Sequence, residues 1–547
     1  MHITVRSIGG RFMNRTPSTI GRYVAQLIAA NGIDTVFGIP GVHTLELYRG
    51  LAASGLRHVL VRHEQAAGFA ADGYARVSGR PAAAFVISGP GVTNILTAAA
   101  QAYSDSVPML IVASSPVRAS LGKRWGVLHE LPDQRALVAS VLDTACAADS
   151  AEDVRNQMRI AFASLRAGRA RPAYLQIPLD LLAEPTTLRA ERFDDACREP
   201  PPQPEQIDKA RALLASARRP IVIAGGGARG AAAGLCRLIE ALDGFLVTTA
   251  AGKGILAENH PANLGASLPY RETQELIATA DVVLAVGTEL SETDIYAPTK
   301  LILAGHMIRI DVDRAKLCDH YGAAVGICAD AATTVAAILQ DLKPRPGWRT
   351  LSGSSEAHRA RFERRFDASM QKRVRVLKVL RESLPADGVV FSDMTQIAYL
   401  GNYAFAADRP GTWFHPSGYG TLGYALPAAL GAKIAAPERA VVALAGDFGL
   451  QFTLNELMTA VELGQSLPIL VWNNEALAQI RDDMIAADIA PVGVVARNPD
   501  FLALAAACGA RDIRATDPGA LSQAVRAALA HRGPTLIEVP ESAFIDG

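Results

Sequence analysis

The 547-residue sequence lacks the features that mark several classes of protein. Its 54 Lys and Arg residues are balanced by 54 Asp and Glu residues, so it has neither the positive charge of a nucleic-acid binder nor the negative charge of an acidic tail. No apolar run reaches the roughly 18 residues needed to cross a bilayer, and we expect no membrane partner. The six cysteines show no metal-binding or redox spacing, which fits reduced thiols in a cytoplasmic protein.

The sequence does contain a long alternation of short apolar runs and Ala-rich stretches with helical periodicity. Half of the residues are hydrophobic, and the length corresponds to about three or four domains. Runs that are apolar throughout are typical of strands covered on both faces, and the helices between them suit right-handed crossovers. The pattern therefore predicts an α/β protein built from parallel sheets. The clearest runs are TVFGI, HVLVRH, AAAFVIS, PMLIVAS, PAYLQIP, PIVIAGG, DVVLAVG, MIRIDVD, GVVFSD, AVVALAG, PILVWNN and PTLIEVP.

Two charged, proline-containing stretches divide the chain into three predicted domains. Their composition is typical of linkers. The first and third domains share a weak likeness, because each has a helix-rich α/β pattern with a glycine-rich turn. The N-terminal stretch has no apolar core of a signal peptide, so we expect a short leader there. The predicted segments are a leader at 1–16, a domain at 17–188, a linker at 189–203, a domain at 204–343, a linker at 344–372 and a domain at 373–547.

The strongest chemical signal lies in the third domain, where two strand ends carry oxygen ligands. Asp447 follows the run AVVALAG, and Asn474 follows the run PILVWN. In a βαβ unit both turns fall at the carboxyl edge of the sheet, where such sheets bind ligands. The Asp447 carboxylate, the Asn474 amide oxygen and a backbone carbonyl just after it, that of Ala476, suit Mg²⁺ or Ca²⁺. The alternative is an Asp that caps a helix and an Asn pair that forms a turn.

Gly446-Asp447 with Asn473-Asn474 resembles the metal–diphosphate motif of thiamine diphosphate enzymes. The chain from about 18 to 540 resembles the acetolactate synthase and 2-oxoacid decarboxylase group of that superfamily. The resemblance implies three α/β domains, with thiamine diphosphate and Mg²⁺ bound between the first domain of one subunit and the third domain of another. A homodimer is then the minimum, and a homotetramer is common in the family. The other matching motifs are VFGIPG (36–41), RHEQAAGFAADGYAR (62–76), SGPGVTN (88–94), DSVP (105–108) and GYGTLGYALPAALGA (418–432).

The resemblance gives Glu64 the central proton-transfer role. It implies that this carboxyl hydrogen-bonds the aminopyrimidine ring and promotes loss of the thiazolium proton. A group that shares a proton in this way needs an apolar setting that resists ionisation. A helix N-terminus has the opposite effect, because its dipole favours the anion. The plain alternative is a Glu that only stabilises the dipole of its helix.

The remaining cofactor contacts also follow from the resemblance. Leu422 would hold the cofactor in a bent shape, and Gly420 would offer its carbonyl to the amino group of the pyrimidine; the alternative is a buried Leu in a glycine loop. The large Phe448 is unusual after the metal Asp, and its side chain must point away from the diphosphate. The other residues assigned to cofactor contact are Gly41, Thr395, Gln396, Gly446 and Gly449.

Departures from the acetolactate synthase pattern bear on the substrate. His129 stands where those enzymes have a Gln, and an imidazole there could relay protons; the alternative is a surface histidine. Arg481 survives after the metal motif and could pair with a substrate carboxylate. The Trp that helps acetolactate synthases select a second oxoacid is replaced by Asp483. Gln479 thereby becomes a candidate for substrate contact and catalysis.

The central domain bears on a possible flavin. The turn PIVIAGGGARG is a weak dinucleotide signal. Flavin-containing members of the family carry Arg-Phe-Asp-Asp-Arg after a later strand, whereas the stretch here includes Glu289 and Glu292. Two acids facing a diphosphate would repel it, so we expect no bound FAD.

These features predict decarboxylation of a small, pyruvate-like 2-oxoacid, followed by carboligation of the hydroxyethyl unit to a second carbonyl. A decarboxylase that releases an aldehyde is the nearest alternative. A flavin-dependent oxidase and a non-catalytic relative also stay open. The persistence of Glu64, Asp447 and Asn474 argues against the last of these.

Overall fold

The computed structural model describes residues 18–166, 168–194, 200–296, 300–344, 346–495 and 497–545. The predicted leader at 1–16 lies outside these residues, as does part of the predicted linker at 189–203. Three parallel sheets, each covered on both faces by helices, form the architecture that the apolar runs predict. No helix in the described ranges is long and apolar enough to cross a membrane.

The first sheet has six strands in the order β2-β1-β3-β4-β6-β5. Its interior strands are buried along their whole length, as expected for strands sandwiched between helices. The strands are β1 (Thr35–Gly38), β2 (Arg57–Leu60), β3 (Ala82–Val86), β4 (Met109–Ser115), β5 (Thr144–Ala147) and β6 (Ala173–Pro178). The helices are α1 (Ile20–Ala30), α2 (Leu45–Ser54), α3 (Glu64–Ser78), α4 (Pro90–Ser104), α5 (Gln134–Ala139), α6 (Ala151–Arg166) and α7 (Leu179–Ala183).

The central sheet has five strands in the order β11-β10-β9-β7-β8. This is a doubly wound order, which leaves a crevice where the connections diverge on either side of β7. The strands are β7 (Pro220–Ala224), β8 (Phe245–Thr248), β9 (Val282–Val286), β10 (His306–Asp311) and β11 (Val325–Cys328). The helices are α8 (Pro204–Ser216), α9 (Ala232–Leu242), α10 (Arg271–Ala278), α11 (Glu292–Ile295) and α12 (Ala331–Leu339).

The stretch 344–372, predicted as a linker, is largely helical. It holds α13 (Trp348–Ser352), α14 (Ser355–Glu363) and the start of α15 (Ala368–Glu382). Phe362 is buried and stacks on Tyr270 of the central domain, with ring centroids 4.4 Å apart. A few buried aromatic residues therefore anchor this charged stretch, which its overall composition concealed.

The third sheet has six strands in the order β13-β12-β14-β15-β17-β16. Counted from its own first strand, this is the strand order of the first sheet, which explains the weak likeness between the two segments. The strands are β12 (Val389–Ser392), β13 (Trp413–Phe414), β14 (Val441–Gly446), β15 (Leu467–Asn473), β16 (Arg511–Arg514) and β17 (Pro534–Pro540). The further helices are α16 (Gln396–Ala404), α17 (Ala425–Ala435), α18 (Asp447–Gln451), α19 (Glu456–Leu463), α20 (Ala478–Ala486), α21 (Phe501–Cys508), α22 (Pro518–Ala530) and α23 (Glu541–Ile545).

Helices α3 and α17 pack closely and join the first and third domains. Both are lined with Ala and Gly, so their backbones approach very closely. A Cβ atom on Gly73 would lie 2.6 Å from the carbonyl carbon of Ala428, and one on Gly431 would lie 2.6 Å from that of Ala70. The two helices follow corresponding strands of the two sheets. This crossing therefore fixes how the carboxyl edges of the first and third sheets face each other.

Candidate functional site

Asp447 lies at the carboxyl edge of the third sheet, as the sequence predicts. It begins α18 directly after β14, beside the end of the adjacent strand β15. The residue is 2% exposed. Its carboxylate accepts hydrogen bonds from the backbone N–H of Phe448 at 2.9 Å and from Nδ2 of Asn498 at 2.7 Å. Among the described residues no cationic side chain forms an ion pair with it.

The loop after β15 brings Asn474 to Asp447. Glu475 has a φ of 55°, so the chain turns sharply there. The backbone N–H groups of Asn474 and Glu475 point toward the Asp447 carboxylate, and the N–H of Ala476 donates to Oδ1 of Asn474 at 3.3 Å. Burial raises the pKa of Asp447, while the hydrogen bonds from Asn498 and the backbone act in the opposite direction.

The donor chemistry of this loop fits a hard divalent cation. The three predicted ligands, Asp447, Asn474 and Ala476, offer a carboxylate, an amide oxygen and a carbonyl oxygen. A divalent ion would relieve the cost of holding a buried carboxylate without a cationic partner. Sequence analysis missed Asn498, which also donates to Asn473 at 2.9 Å and so braces the two strand ends.

Two glycines let other loops approach the start of α18. A Cβ on Gly446 would lie 3.0 Å from Oγ1 of Thr395, and one on Gly449 would lie 2.8 Å from Oδ2 of Asp393. The loop that carries Asp393 and Thr395 therefore packs against the start of α18, and contact of Thr395, Gly446 and Gly449 with the diphosphate stays a prediction. Gln396 instead points sideways, where its amide oxygen accepts from Arg373 at 3.0 Å and its amide nitrogen donates to Asp482 at 2.8 Å. Its contact with the diphosphate stays a prediction.

Phe448 is half-buried, and its aromatic ring lines a shallow surface depression. Phe452, Gln451 and Arg497 form the rest of that depression. The residues that surround Phe448 in this depression thus lie on the outer side of α18.

The loop from Gly418 to Gly423, which carries Gly420 and Leu422, is clamped from both domains. From the first domain, Asp105 accepts from the backbone N–H of Gly418 at 2.9 Å. From the third domain, Asp393 accepts from the N–H of Gly423, also at 2.9 Å. Gly420 has a φ of 71°, a conformation that glycine adopts without strain.

Asp393 is a buried acid that sequence analysis missed. It follows β12 and is 1% exposed. Burial raises the pKa of Asp393 to about 6, although four backbone N–H groups favour the anion. The Asp393 carboxyl connects the start of α18 to the loop that carries Leu422, so it holds two predicted cofactor-binding segments together.

Glu64 begins α3 at the carboxyl edge of the first sheet. Its side chain is 8% exposed, and Oε2 accepts a hydrogen bond from Nδ2 of Asn94 at 2.9 Å. The next residue, Gln65, is 3.5 Å from the carbonyl oxygen of Leu422 in the same chain. This burial and the bond from Asn94 go beyond a carboxylate that only stabilises its helix dipole.

His129 and Gly41 lie on neighbouring loops beside Glu64. A Cβ on Gly41 would lie 2.6 Å from Cδ1 of Ile87, so the loop after β1 approaches the end of β3 closely. The ring of His129 lies 5.0 Å from that of His43, and its Nδ1 is buried. His129 is thus not a freely exposed surface histidine, and His43 is a neighbour that sequence analysis missed.

No hydrogen bond or ion pair joins Glu64 to Asp447 or Asn474 within the described part of this chain. The two groups occupy the carboxyl edges of different sheets. Their meeting across a contact between two copies stays a prediction.

Comparisons with known proteins match all three domains. Residues 18–137 match the N-terminal TPP binding domain of thiamine pyrophosphate enzymes, 207–338 the central domain and 393–539 the C-terminal TPP binding domain. The chain belongs to the thiamine pyrophosphate enzyme family. It is therefore placed with enzymes that use thiamine diphosphate, as the motifs predict.

Several curated relatives of the thiamine pyrophosphate enzyme family span nearly the whole chain. The probable 2-ketoarginine decarboxylase AruI of Pseudomonas aeruginosa is 48% identical over 528 residues, covering 95% of this chain and 94% of that protein. The acetolactate synthase isozyme 3 large subunit of Escherichia coli is 31% identical over 532 residues, covering 92% and 91%. The acetolactate synthase of Mycobacterium bovis is 30% identical over 513 residues, covering 88% and 81%.

Helix α20 of this thiamine pyrophosphate enzyme carries the predicted substrate residues. It begins two positions after Ala476, so it adjoins the candidate metal loop. Gln479 donates to Oδ1 of Asp483 at 3.0 Å, and Arg481 pairs with Asp482 at 3.1 Å. Gln479 and Arg481 are thus engaged with acids of their own helix, and their substrate roles stay predictions.

A cavity of about 840 Å³ lies where the three domains meet. It is lined by the glycine-rich turn after β7 and by Glu289 and Glu292, on which the argument against FAD depended. Glu289 forms ion pairs with Arg169 and Lys316, so its charge is compensated. Repulsion between Glu289 and the diphosphate of FAD is therefore a weaker reason to exclude a flavin. The expected absence of a flavin stays a prediction.

Proposed function

We propose that this protein is a Mg²⁺-dependent decarboxylase of a 2-oxoacid with a cationic side chain, namely 2-ketoarginine. The products would be carbon dioxide and the aldehyde one carbon shorter, with its guanidinium group intact. This proposal takes up the aldehyde-releasing alternative in place of pyruvate ligation. The high identity to the probable 2-ketoarginine decarboxylase supports it over the acetolactate synthases, which are more distant.

The two adjacent acids of α20, Asp482 and Asp483, are the observation that carries the substrate proposal. Asp483 stands where the acetolactate synthase pattern has a Trp, and the helix adjoins the candidate metal loop. Asp482 accepts from Gln396, which begins α16. The preceding Thr395 lies against Gly446 just before α18, so Asp482 lies beside the predicted cofactor segments. A carboxylate can bind a guanidinium group through two parallel hydrogen bonds, whereas an indole would suit an apolar partner.

The charges on α20 leave a place for each end of the substrate. Gln479 occupies one carboxylate oxygen of Asp483, and the second has no hydrogen-bond partner among the described residues. The Arg481 side chain is 39% exposed, and among the described residues it pairs only with its neighbour Asp482. A surface ion pair of this kind is weak, so Arg481 can turn toward a substrate carboxylate at little cost.

The cofactor would be held by residues of both sheets. We assign the cation to Asp447, Asn474 and Ala476, the pyrimidine to Glu64, and the support beneath the cofactor to Leu422. Thiamine diphosphate supplies the electron sink that allows the bond to the carboxylate carbon to break. The Glu64 side chain is 8% exposed, so its carboxyl would meet the pyrimidine in a setting with little water.

The assembly we propose is a homodimer at minimum, and a homotetramer as the family resemblance implies. Large apolar side chains are exposed beside the Glu64 half of the site, which supports a covering partner. We place the enzyme in the cytoplasm, in keeping with its free cysteines among the described residues. The exposed side chains are Val42, Leu45, Trp125 and Leu128.

Purified protein with thiamine diphosphate and Mg²⁺ tests the reaction. We expect carbon dioxide and an aldehyde from 2-ketoarginine, with much lower kcat/KM for the neutral 2-oxohexanoate. Acetolactate as the main product from pyruvate, without turnover of 2-ketoarginine, would favour the acetolactate synthase function instead.

A matched pair of variants tests the substrate contact. Asp483→Asn removes the proposed guanidinium partner, and we expect about 10–100-fold lower kcat/KM for 2-ketoarginine because a charged hydrogen bond contributes roughly 1.5–3 kcal/mol. The kcat/KM for 2-oxohexanoate should stay unchanged. Asp488→Asn, at an exposed acid just after the same helix, is the control. Equal losses on both substrates would contradict the assignment of Asp483.

A further inference from the structure

Two histidines and a serine form a cluster at the carboxyl edge of the first sheet that the motifs do not explain. His43 follows β1, Ser88 follows β3 and His129 lies in the loop after β4. Nδ1 of His43 is 2.6 Å from Oγ of Ser88, a strong hydrogen bond. The rings of His43 and His129 are 5.0 Å apart and meet edge to face at 67°.

The cluster of His43, Ser88 and His129 lies close to Glu64. Ile87, next to Ser88, contacts Gly41 on one side, where a Cβ would lie 2.6 Å from its Cδ1. On the other side a Cβ on Gly91 would lie 2.9 Å from Cγ2 of Ile87 and 3.4 Å from Oε1 of Glu64. The histidine pair and the Glu64 carboxyl therefore lie on neighbouring loops at the carboxyl edge of the first sheet, with Ile87 between them.

His129 is held in a constrained position with a free ring nitrogen. Its φ of 63° is unusual for a residue other than glycine. Its backbone presses on Gly89, where a Cβ would lie 2.6 Å from the His129 carbonyl oxygen. Nδ1 of His129 is buried and has no hydrogen-bond partner among the described residues. A buried, unpartnered imidazole nitrogen costs free energy unless a bound group satisfies it.

Hydrogen bonds hold the backbone beneath His43 and His129 in place. The backbone N–H of Ser88 donates to Oγ of Ser114 at 3.2 Å, and that of Gly89 donates to Oε1 of Gln134 at 2.9 Å. Gln134 in turn donates to the hydroxyl of Tyr174 at 2.9 Å. These bonds hold the backbone at Ser88, whose hydroxyl anchors His43.

The two imidazoles cannot both carry a charge at low cost. Burial, and after it the charge of His129, lowers the pKa of His43. Among the described residues His129 is the only charged group whose effect on His43 is resolved. At neutral pH His43 is therefore mostly uncharged and can accept or donate a proton.

We propose that His43, anchored by Ser88, is the positioning residue that sets the ring orientation and proton occupancy of His129, which delivers the proton that completes the aldehyde. The step is balanced: an N–H bond of His129 breaks, a C–H bond forms at the carbon that lost carbon dioxide, and His129 regains a proton from solvent by way of His43. Delivery of this proton favours aldehyde release over capture by a second carbonyl. The inference rests on the proposed decarboxylase function.

The first test uses the protein without cofactor, so it does not depend on turnover. Ring nitrogen chemical shifts of labelled histidines are followed against pH by NMR. We expect the pKa of His43 to rise in the His129→Gln variant, because the like charge is gone. His320→Gln, at an exposed histidine in the central domain, should leave it unchanged. An unchanged pKa of His43 in His129→Gln would overturn the coupling.

The second test measures the product ratio of the complete enzyme. His129→Gln should lower aldehyde formation by on the order of 100-fold, as expected for loss of a general acid. His43→Asn keeps a side-chain amide near Ser88 but cannot titrate, and it should shift product from the aldehyde toward the ligation product when a second aldehyde is supplied. Ser88→Ala, which removes the anchor, should shift the ratio in the same direction.

The outcomes separate this inference from the proposed function. If the unmodified enzyme releases no carbon dioxide from any 2-oxoacid, the decarboxylase function fails. If it does so and the product ratio stays the same in both His43→Asn and Ser88→Ala, only the role of His43 is wrong.

Discussion

The crossing of α3 and α17 gives the sharpest structural prediction, which is the effect of adding one methyl group at Gly73. The new Cβ would lie 2.6 Å from the carbonyl carbon and 2.8 Å from Cα of Ala428, and closer still to the carbonyl oxygen. Side-chain carbons do not approach backbone atoms to within 3.0 Å. Since all three of these atoms belong to the backbone, no side chain can move aside, and the helices must separate.

The cost follows from two opposing effects. Overpacking of a rigid contact costs about 1–3 kcal/mol, and this contact belongs at the upper end of that range. Replacing Gly by Ala inside a helix regains about 1 kcal/mol of helix propensity. We therefore expect Gly73→Ala to lower the free energy of unfolding by about 2 kcal/mol, and to weaken thiamine diphosphate binding because α3 carries Glu64.

Thermal unfolding followed by circular dichroism, with cofactor affinity from calorimetry, measures both effects. Gly431→Ala should behave alike, since its Cβ meets the backbone of Ala70. Gly230→Ala is the control, because no atom lies within 4 Å of its added Cβ. If Gly73→Ala melts at or above the temperature of the unmodified protein and binds cofactor equally well, the close helix contact is not real.

Three further predictions concern charged groups. The raised pKa of Asp393, about 6, means that the folded state binds this proton more tightly than the unfolded state does. The free energy of unfolding should therefore fall by about 3 kcal/mol as pH rises from about 4 to 6. Asp393→Asn should flatten this part of a plot of unfolding free energy against pH, and an unchanged slope would contradict the prediction. Arg76 pairs with Asp72 and Asp105 at 2.6 Å in a buried setting. Arg76→Gln should therefore lower the free energy of unfolding in urea by about 3–5 kcal/mol, whereas a change below about 1 kcal/mol would show that the pairs contribute little. Asp447→Asn should weaken Mg²⁺-dependent binding of thiamine diphosphate, as measured by calorimetry. The melting temperature without cofactor should stay the same or rise, because a buried carboxylate is removed. Undiminished binding would show that Asp447 is no ligand.

The strands that sequence patterns reveal are those with neighbours on both sides. The apolar runs quoted above identify every interior strand of the three sheets and one edge strand, β2. The strands without a quoted run, β5, β8, β11, β13 and β16, are all at sheet edges. Strand β16 is largely exposed and β5 only partly buried, so continuous hydrophobicity does not mark them. Strand β8 is largely apolar and buried throughout, and could have been identified from its sequence.

Sequence predicts which polar residues lie together where residue chemistry and position after a strand coincide. Asp447 and Asn474 follow two adjacent parallel strands, and that spacing alone predicts that they meet at one edge. Asp393 had the same signal, an acid directly after the run GVVFS, and could have been identified from it. Asn498 had none, because a loop brings it to Asp447 from a distant position. Asn94 ends the motif SGPGVTN (88–94), but only the fold shows that it contacts Glu64.

Residues that act through a neighbour were also hidden from sequence patterns. His43 follows VFGIPG by two positions, and only the fold places its ring against that of His129. Likewise, the charge of Glu289 could be read from the sequence, but its compensation by Arg169 of the first domain could not. A pattern of residue types gives the charge of a group without the partners that offset it.

The central claim is that one catalytic site combines Glu64 of one copy with Asp447 of another, and subunit complementation tests it most directly. Glu64→Gln and Asp447→Asn chains, each inactive alone, are co-expressed with different tags, and the mixed dimer is isolated. The account predicts recovery of about half of the decarboxylase activity, because one of the two sites then has both residues intact. A mixed dimer as inactive as its parents would show that the site does not form between copies.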